Sequence, residues 1–256
     1  MAEEYTILAE YYDILGDHLN YEDYAAFIHR FNKNFGEGKS GIALDLACGT
    51  GEMAVNLSKL GYDTIGTDQS PDMLDVARQK ASDSGENILF LCQDMRQLDL
   101  YGTVDLVSCT LDSLNYLTGR GELDKVFSLV NNFLEPGGIF VFDVNTEKKF
   151  REIYGDNSYI FEDDGVYCGW QNYFDEKTMK CEFCLSIFTE DEDGRYTRQD
   201  EYHVEKCHKE RVIRDKLKKC GFELIGIYSD FNENTATDKD LRHFYVAKNV
   251  KPKIVL

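Results

Sequence analysis

The segment Asp45-Leu46-Ala47-Cys48-Gly49-Thr50-Gly51 follows a run of strand-forming residues and opens directly into a helix-forming one. Glycines in such a turn let the backbone come close to a ligand, and the unpaired amides at a helix start carry partial positive charge toward an anionic group. A Gly-x-Gly turn alone suits dinucleotide enzymes, other nucleoside binders and simple tight turns equally well. Two further acids narrow the field. Asp68 ends the second strand-like run, where a carboxylate can accept from both hydroxyls of a ribose; its plainer use is to cap the helix that starts at Pro71. Asp94, in Gln93-Asp94-Met95, ends the third and is placed to accept from the exocyclic amine of an adenine. Open parallel sheets bind ligands beyond the carboxyl ends of their strands, and all three segments fall there. Together they describe a nucleoside site with an anionic end.

The elements that must hold these residues are legible in the patterning. Residues 42–47, 64–67, 88–92, 105–109 and 139–144 read as strands, and the stretches after 51, 70 and 121 read as helices. Such alternation predicts βαβ units and a parallel sheet. Ser70 is a natural N-cap with Pro71 at the first helical position, and Gly61 closes the helix that begins near Glu52. Leu123, Val126, Phe127, Val130, Phe133 and Leu134 form an apolar helical face that ends at Pro136-Gly137-Gly138. Before the first strand, Tyr5, Leu8, Tyr12 and Leu15, then Tyr24, Phe27, Ile28 and Phe31, predict two helices. Residues 159–207 alternate as strands broken at Asp175-Glu176-Lys177 and Glu192-Asp193-Gly194, an antiparallel insert of about three strands. A helix over 211–220, stopped by Gly221, precedes two strands at 222–228 and 241–247.

Composition excludes several classes. The 256 residues carry 47 acidic and 28 basic side chains, a formal net charge of −19, which opposes binding to a phosphate backbone. The cations between Lys206 and Lys219 are diluted by Glu205, Glu210 and Asp215 and read as a solvated helix face. No run reaches the roughly 18 apolar residues of a bilayer span. The start MAEEYTIL is acidic where a secretory signal is basic, so a cytoplasmic protein with no membrane partner is expected. Eight scattered cysteines then read as thiols. Cys181 and Cys184 have zinc spacing, with His203, Cys207 and His208 downstream, but Met179, Cys181, Phe183, Leu185 and Ile187 alternate as in a strand. That period sends the two cysteines to opposite faces, and no metal is expected.

Asp45-Leu-Ala-Cys-Gly-Thr-Gly51, Asp68-Gln-Ser-Pro-Asp-Met-Leu74 and Gln93-Asp-Met-Arg96 resemble the successive motifs of class I S-adenosylmethionine-dependent methyltransferases, over about residues 40–145. NAD-binding loops usually carry a third glycine where this chain has Ala54. Leu8-Ala-Glu-Tyr-Tyr-Asp13 and Cys109-Thr-Leu-Asp-Ser-Leu-Asn-Tyr-Leu117 are similar to segments of small bacterial members with an N-terminal helical lid and a β insert. The resemblance implies a Rossmann-like α/β fold, with a seven-stranded, mostly parallel sheet whose last strand is antiparallel. It divides the chain into a lid (1–36), a cofactor-binding core (37–150), an antiparallel β insert capping the substrate (151–207) and a C-terminal helix and strands completing the sheet (208–256).

The same resemblance implies S-adenosyl-L-methionine as cofactor and assigns residues to it. Tyr12 lies over it; Ala47, Cys48, Gly49 and Gly51 face its methionine part and Asp45 its amino group. Asp68 and Gln69 hold the ribose and adenine edge, Asp94 and the Met95 backbone the adenine. Met73 covers the adenine face or belongs to the core, and Cys109 borders the methyl group. Displacement at a sulfonium methyl needs mainly alignment and exclusion of water, which supply roughly 7–11 kcal/mol. A base is needed only for a protonated acceptor. Acceptor-side candidates are Asp112, Tyr116, Trp170 and His203, against plainer roles: an N-cap for Asp112, a strand histidine for His203, insert core for Trp170. The expected acceptor is a small molecule. The rivals are an RNA or protein methyltransferase, a non-catalytic binding module and, more distantly, an NAD-dependent oxidoreductase.

Overall fold

The computed structural model describes residues 20–38, 41–163, 165–191 and 193–250. The first of the two expected N-terminal helices, Tyr12 included, lies outside the described residues. The second is helix α1 (Tyr21–Phe35), whose Asn20 side chain accepts from the amides of Glu22 and Asp23. Alternating elements follow: β1 (Ile42–Leu46), α2 (Glu52–Lys59), β2 (Asp63–Asp68), α3 (Pro71–Asp83), β3 (Leu89–Cys92), β4 (Val104–Cys109), α4 (Glu122–Phe133) and β5 (Leu134–Asn145). A π-helical turn (Lys149–Tyr154) leads to β6 (Ser158–Asp163), β7 (Val166–Asp175), β8 (Lys180–Glu190) and β9 (Tyr196–Lys206). Helix α5 (Glu210–Lys219), β10 (Phe222–Tyr228) and β11 (Arg242–Asn249) complete the chain.

Seven strands form one sheet in the order β10-β11-β5-β4-β1-β2-β3, in which β11 runs antiparallel to both its neighbours and the remaining pairs are parallel. The strand order reverses between β1 and β4, which opens a crevice at their carboxyl ends. Every residue of β4 is buried, as a strand covered on both faces requires. One face packs Leu44, Val107, Phe140, Phe142 and Tyr245 against Phe127 of α4 and Leu217 of α5. The other packs Ala43, Leu106, Val141 and Phe244 against Tyr24, Phe27, Ile28 and Phe31 of α1.

The punctuation residues act as their chemistry dictates. Ser70 Oγ accepts from the Met73 amide at 3.2 Å, with Pro71 opening α3. Strand β5 begins at Leu134, earlier than its apolar run suggests, because Pro136-Gly137-Gly138 is absorbed into it. A Cβ on Gly138 would lie 2.8 Å from the Asp105 carbonyl, so glycine there lets the strand run close beside β4. The insert is a four-stranded sheet in the order β6-β7-β8-β9, not three strands. Gly165, at φ 78°, turns the chain where the alternation looked continuous and splits the first expected strand into β6 and β7. Cys181 and Cys184 sit on opposite faces of β8, one buried and one half-buried, and all eight cysteines are free thiols. The basic run is α5, where Arg214 pairs with Glu210, Arg211 with Asp215 and Lys216 with Asp124 of α4. No described helix is long and apolar enough to cross a membrane.

Phe140 has no exposed surface and packs against Phe127, Phe142 and Phe222 at ring separations of 6.0, 4.8 and 5.8 Å. Phe140→Ala is expected to cost about 3–5 kcal/mol in denaturant unfolding, the usual range for emptying an aromatic core site. A loss under about 1 kcal/mol would mean the site collapses around the cavity and does not organise the core.

Candidate active site

The turn between β1 and α2 is held in an unusual path. Ala47, Gly49 and Gly51 have φ of 57°, 51° and 82°. The Cys48 amide donates to the Thr67 carbonyl at 2.9 Å, tying the turn to β2. Asp68 completes the tie: Oδ2 accepts from the Gly49 amide and Oδ1 from the Ser70 amide, each at 2.9 Å. A Cβ on Gly49 would meet nothing within 4 Å, so this backbone faces open space. Gly51 faces the other way, where a Cβ would lie 2.8 Å from that of Ala77 on α3. Burial raises the Asp68 carboxyl above its ordinary range, and the amides of Ser70, Gly49 and Gln69 counter part of that rise.

Asp45 has no exposed surface. Its Oδ1 accepts from Ser108 Oγ of β4 at 2.8 Å, whereas Oδ2 has no hydrogen-bond partner among the described residues. Burial pushes its carboxyl up to about 7; the Ser108 hydroxyl and the Ala54 amide oppose this and the charge of Asp68 adds to it.

Asp94 is more heavily engaged than its position in sequence suggests. It accepts from the Arg96 amide at 2.8 Å, and the Arg96 guanidinium closes on both its oxygens, Nε at 2.9 Å from each and Nη2 at 2.6 Å from Oδ2. Arg96 Nη1 also donates to Glu122 of α4 at 2.9 Å. Burial pushes the Asp94 carboxyl up, and the Arg96 hydrogen bonds more than reverse this, leaving it below the ordinary range.

These groups surround a cavity of about 350 Å³ lined by Ala47, Gly49, Asp68, Gln69, Met73, Asp94 and Met95. Its far wall is Leu111, Ser113, Tyr116, Leu117 and Thr118 after β4, with Val204 of β9. A smaller space of about 30 Å³ continues past Cys48, Thr50 and Met53 toward Tyr21, and shares Ala47, Gly49, Leu111 and Ser113 with the first. Of the residues assigned from sequence to the cofactor, Asp45 and Gly51 stand behind this surface. Cys109 is a correction: it has no exposed surface, belongs to the hydrophobic core and lines neither space. On a strand covered on both faces its thiol packs among the core side chains of one face and not beyond the strand's end.

On the acceptor side, Leu111 and Asp112 both take φ of 53°, costly for residues with a Cβ, and their amides donate to Asp143 of β5 at 2.7 and 2.9 Å. Asp112 makes no capping bond. Its carboxylate accepts from Asn145 Nδ2 at 2.5 Å and from Arg242 Nη1 at 3.3 Å. The same Asn145 amide group reaches Glu205 at 3.3 Å and the Tyr154 hydroxyl at 2.9 Å. Glu205 is held well above the carboxylate range, first by burial and then by the charge of Asp112. His203 is 3% exposed, lies 3.2 Å from Glu201 and meets the edge of the Tyr116 ring at 6.0 Å, so it stands behind the cavity wall while Val204 faces inward. Of the two readings for Trp170 the structure gives the plainer one: it packs on Phe161 and Phe183 in the insert core, with Nε1 donating to Asn172, and is not part of the cavity lining. Sequence reasoning missed Arg96, Asp143, Asn145, Glu205 and Arg242. The signal for two of them was present, since Asp143 and Asn145 interrupt an otherwise apolar strand.

The chain matches the family model described as a methyltransferase domain over residues 43–138. It is 33% identical to the protein YqeM of Bacillus subtilis (strain 168), which carries a methyltransferase name, over 96% of this chain and 98% of that one. It is 25% identical to a glycine/sarcosine N-methyltransferase of Halorhodospira halochloris over 73% of this chain and 68% of that one. A solved S-adenosylmethionine-dependent methyltransferase from Clostridium acetobutylicum ATCC 824 superposes with a TM-score of 0.85 at 31% identity, covering 95% and 98% of the two chains. A glycine turn tied to an acid on β2, an acid after β3 and a crevice at the switch in strand order thus have a common explanation: the chain belongs to the class I S-adenosylmethionine-dependent methyltransferases.

Proposed function

We propose that the protein transfers the methyl group of S-adenosylmethionine to a small molecule admitted between the turn after β4 and the edge strand β9, and that the acceptor atom is an amine nitrogen. The cavity carries this reading: its far wall is built from the chain's own post-β4 turn and insert, and its volume suits a small ligand. The carboxylates of Asp112 and Glu201 behind that wall favour an acceptor that donates hydrogen bonds or carries positive charge. The glycine/sarcosine enzyme among its relatives acts, by name, on nitrogen. Macromolecular acceptors fit less well, because the protein is strongly acidic and the cations of α5 are mostly paired with acids. Free thiols at all eight cysteines fit a reducing compartment, and we place the reaction in the cytoplasm.

Bound S-adenosylmethionine supplies an electrophilic methyl carbon on a cationic sulfur; the protein's part is to bind, align and exclude water. Asp68 receives the ribose hydroxyls on the lone pairs its two amide bonds leave over. Asp45 Oδ2 is the orphaned acceptor for the amino group. With Arg96 on both Asp94 oxygens, the adenine edge is read by what remains of that carboxylate together with the Met95 backbone, and Met73 flanks it in the same lining. Asp112, fixed by Arg242 and Asn145, orients an ammonium beside Tyr116. A protonated amine would have to lose its proton before it could accept a methyl group, and His203, held against Glu201 behind Tyr116, would be the candidate to receive that proton.

Asp45 gives this assignment a signature in stability as well as affinity. Its folded-state pKa of about 7 lies above the ordinary value, so its stabilising contribution is complete near pH 4 and lost as pH rises through 7. Asp45→Asn is therefore expected to raise the Tm of the ligand-free protein at pH 8 more than at pH 5, while weakening S-adenosylmethionine binding in calorimetry. An unaltered affinity would remove Asp45 from the site. Asp68→Ala should weaken the same binding by more than about 1 kcal/mol, and a smaller change would leave Asp68 only its role in the turn. A methyl-donor assay over amines, with alcohols, thiols and carbon acids alongside, should release S-adenosylhomocysteine with an amine alone. Turnover confined to the other acceptors would refute nitrogen transfer, and cofactor binding without turnover on any small molecule would refute the small-molecule reading.

A further inference from the structure

Asp143 lies near the carboxyl end of the apolar strand β5, has no exposed surface and faces neither cavity. A carboxylate so placed is tolerated only when donors converge on it. Four do, from three parts of the chain. Oδ1 accepts from the Tyr24 hydroxyl of α1 at 2.8 Å and the Leu111 amide at 2.7 Å; Oδ2 accepts from the Asp112 amide at 2.9 Å and forms an ion pair with Arg242 of β11. Burial and the neighbouring Asp143 charge keep the Tyr24 proton in place, so it remains a donor.

Two of the four donors are consecutive amides of the only adjacent pair of non-glycine residues with positive φ among those described. Left-handed backbone at a leucine is unfavourable and reverts to extended or right-handed forms unless something holds it. Aiming both amides at one buried anion is what holds it here. Leu111 lines both the larger cavity and the smaller one, so it sits where they join, opposite Ala47 and Gly49. If that pair relaxed, the chain leaving β4 would take another path and the junction would change shape.

We propose that Asp143, supported by Tyr24 and Arg242, is a positioning residue for cofactor binding: it acts as an internal anion that locks the Leu111–Asp112 turn in the left-handed form which shapes the join between the two spaces. This rests on the cofactor site and is independent of the acceptor. It also explains why helix α1, remote in sequence from every ligand-facing residue except Tyr21, contributes a buried hydroxyl to the end of the sheet.

The test is calorimetric titration of the full-length protein with S-adenosylhomocysteine, run as a double-mutant cycle. Asp143→Asn places an amide donor against Arg242 and is expected to weaken binding about tenfold. Glycine adopts positive φ at no steric cost, so in a Leu111→Gly background the same replacement should weaken binding by about threefold or less. Tyr24→Phe removes one donor while keeping a ring that stacks on Phe231 at 4.8 Å; it should weaken binding about threefold, again less in the Leu111→Gly background. It carries the cycle alone if Asp143→Asn does not fold. Equal losses in both backgrounds, or a lowered Tm with unchanged affinity for S-adenosylhomocysteine, would return Asp143 to a purely structural role.

Discussion

A carboxylate at the end of an apolar strand is stable only if hydrogen-bond donors or cations meet it there, and this constraint organises the working edge of the protein. Asp68 is met by the amides of Gly49 and Ser70, Asp143 by a phenol, two amides and a guanidinium, and Asp94 by Arg96. In each case at least one donor belongs to the turn or short helical segment beside the strand end, so satisfying the charge also fixes that segment. Asp45 is the exception, with one oxygen left unsatisfied.

The same logic joins the insert to the core. Asn145, the last residue of β5, donates its backbone amide to Asn115 Oδ1, and Asn115 Nδ2 in turn donates to the Lys206 carbonyl of β9. Through its side chain Asn145 also bridges Asp112 and Glu205. A buried polar network of this kind is specific because a shift of either partner leaves groups unpaired in a medium of low polarity. The insert is thus more than a cover: its edge strand is registered to the turn after β4, and Val204 becomes part of the cavity wall as a result.

Arg96 illustrates how local charge tunes a motif. By closing on both oxygens of Asp94 and anchoring to Glu122, it keeps that carboxylate ionised and oriented, at the expense of acceptor capacity toward an adenine. His203 shows the converse. Strand period alone puts it on the face opposite Tyr202 and Val204, and the structure seats it behind Tyr116, away from bulk water.

Much of this was legible in the residues themselves. Strand and helix order, the Ser70 cap, the opposite faces of Cys181 and Cys184 and the placing of Asp45, Asp68 and Asp94 at strand ends all follow from periodicity and turn chemistry, which act within a few residues. Errors arose where the deciding neighbour was distant in sequence or where one glycine turned an apparently continuous run. Pro136-Gly137-Gly138 reads as a break, yet the close approach of β4 makes it strand; Gly165 divides what alternation joins. Cys109 and Trp170 have suitable side chains and neighbours in sequence, but which way each points depends on packing against residues far along the chain. The amino-acid sequence by itself determined the motifs and the α/β order of elements, because those depend on local spacing, and through the resemblance of those motifs to a family it implied the cofactor. Tertiary structure alone decided that Asp143, Arg242, Tyr24, Asn145 and Glu205 converge behind the cavity, because burial and charge pairing are set by contacts between residues as much as 130 positions apart.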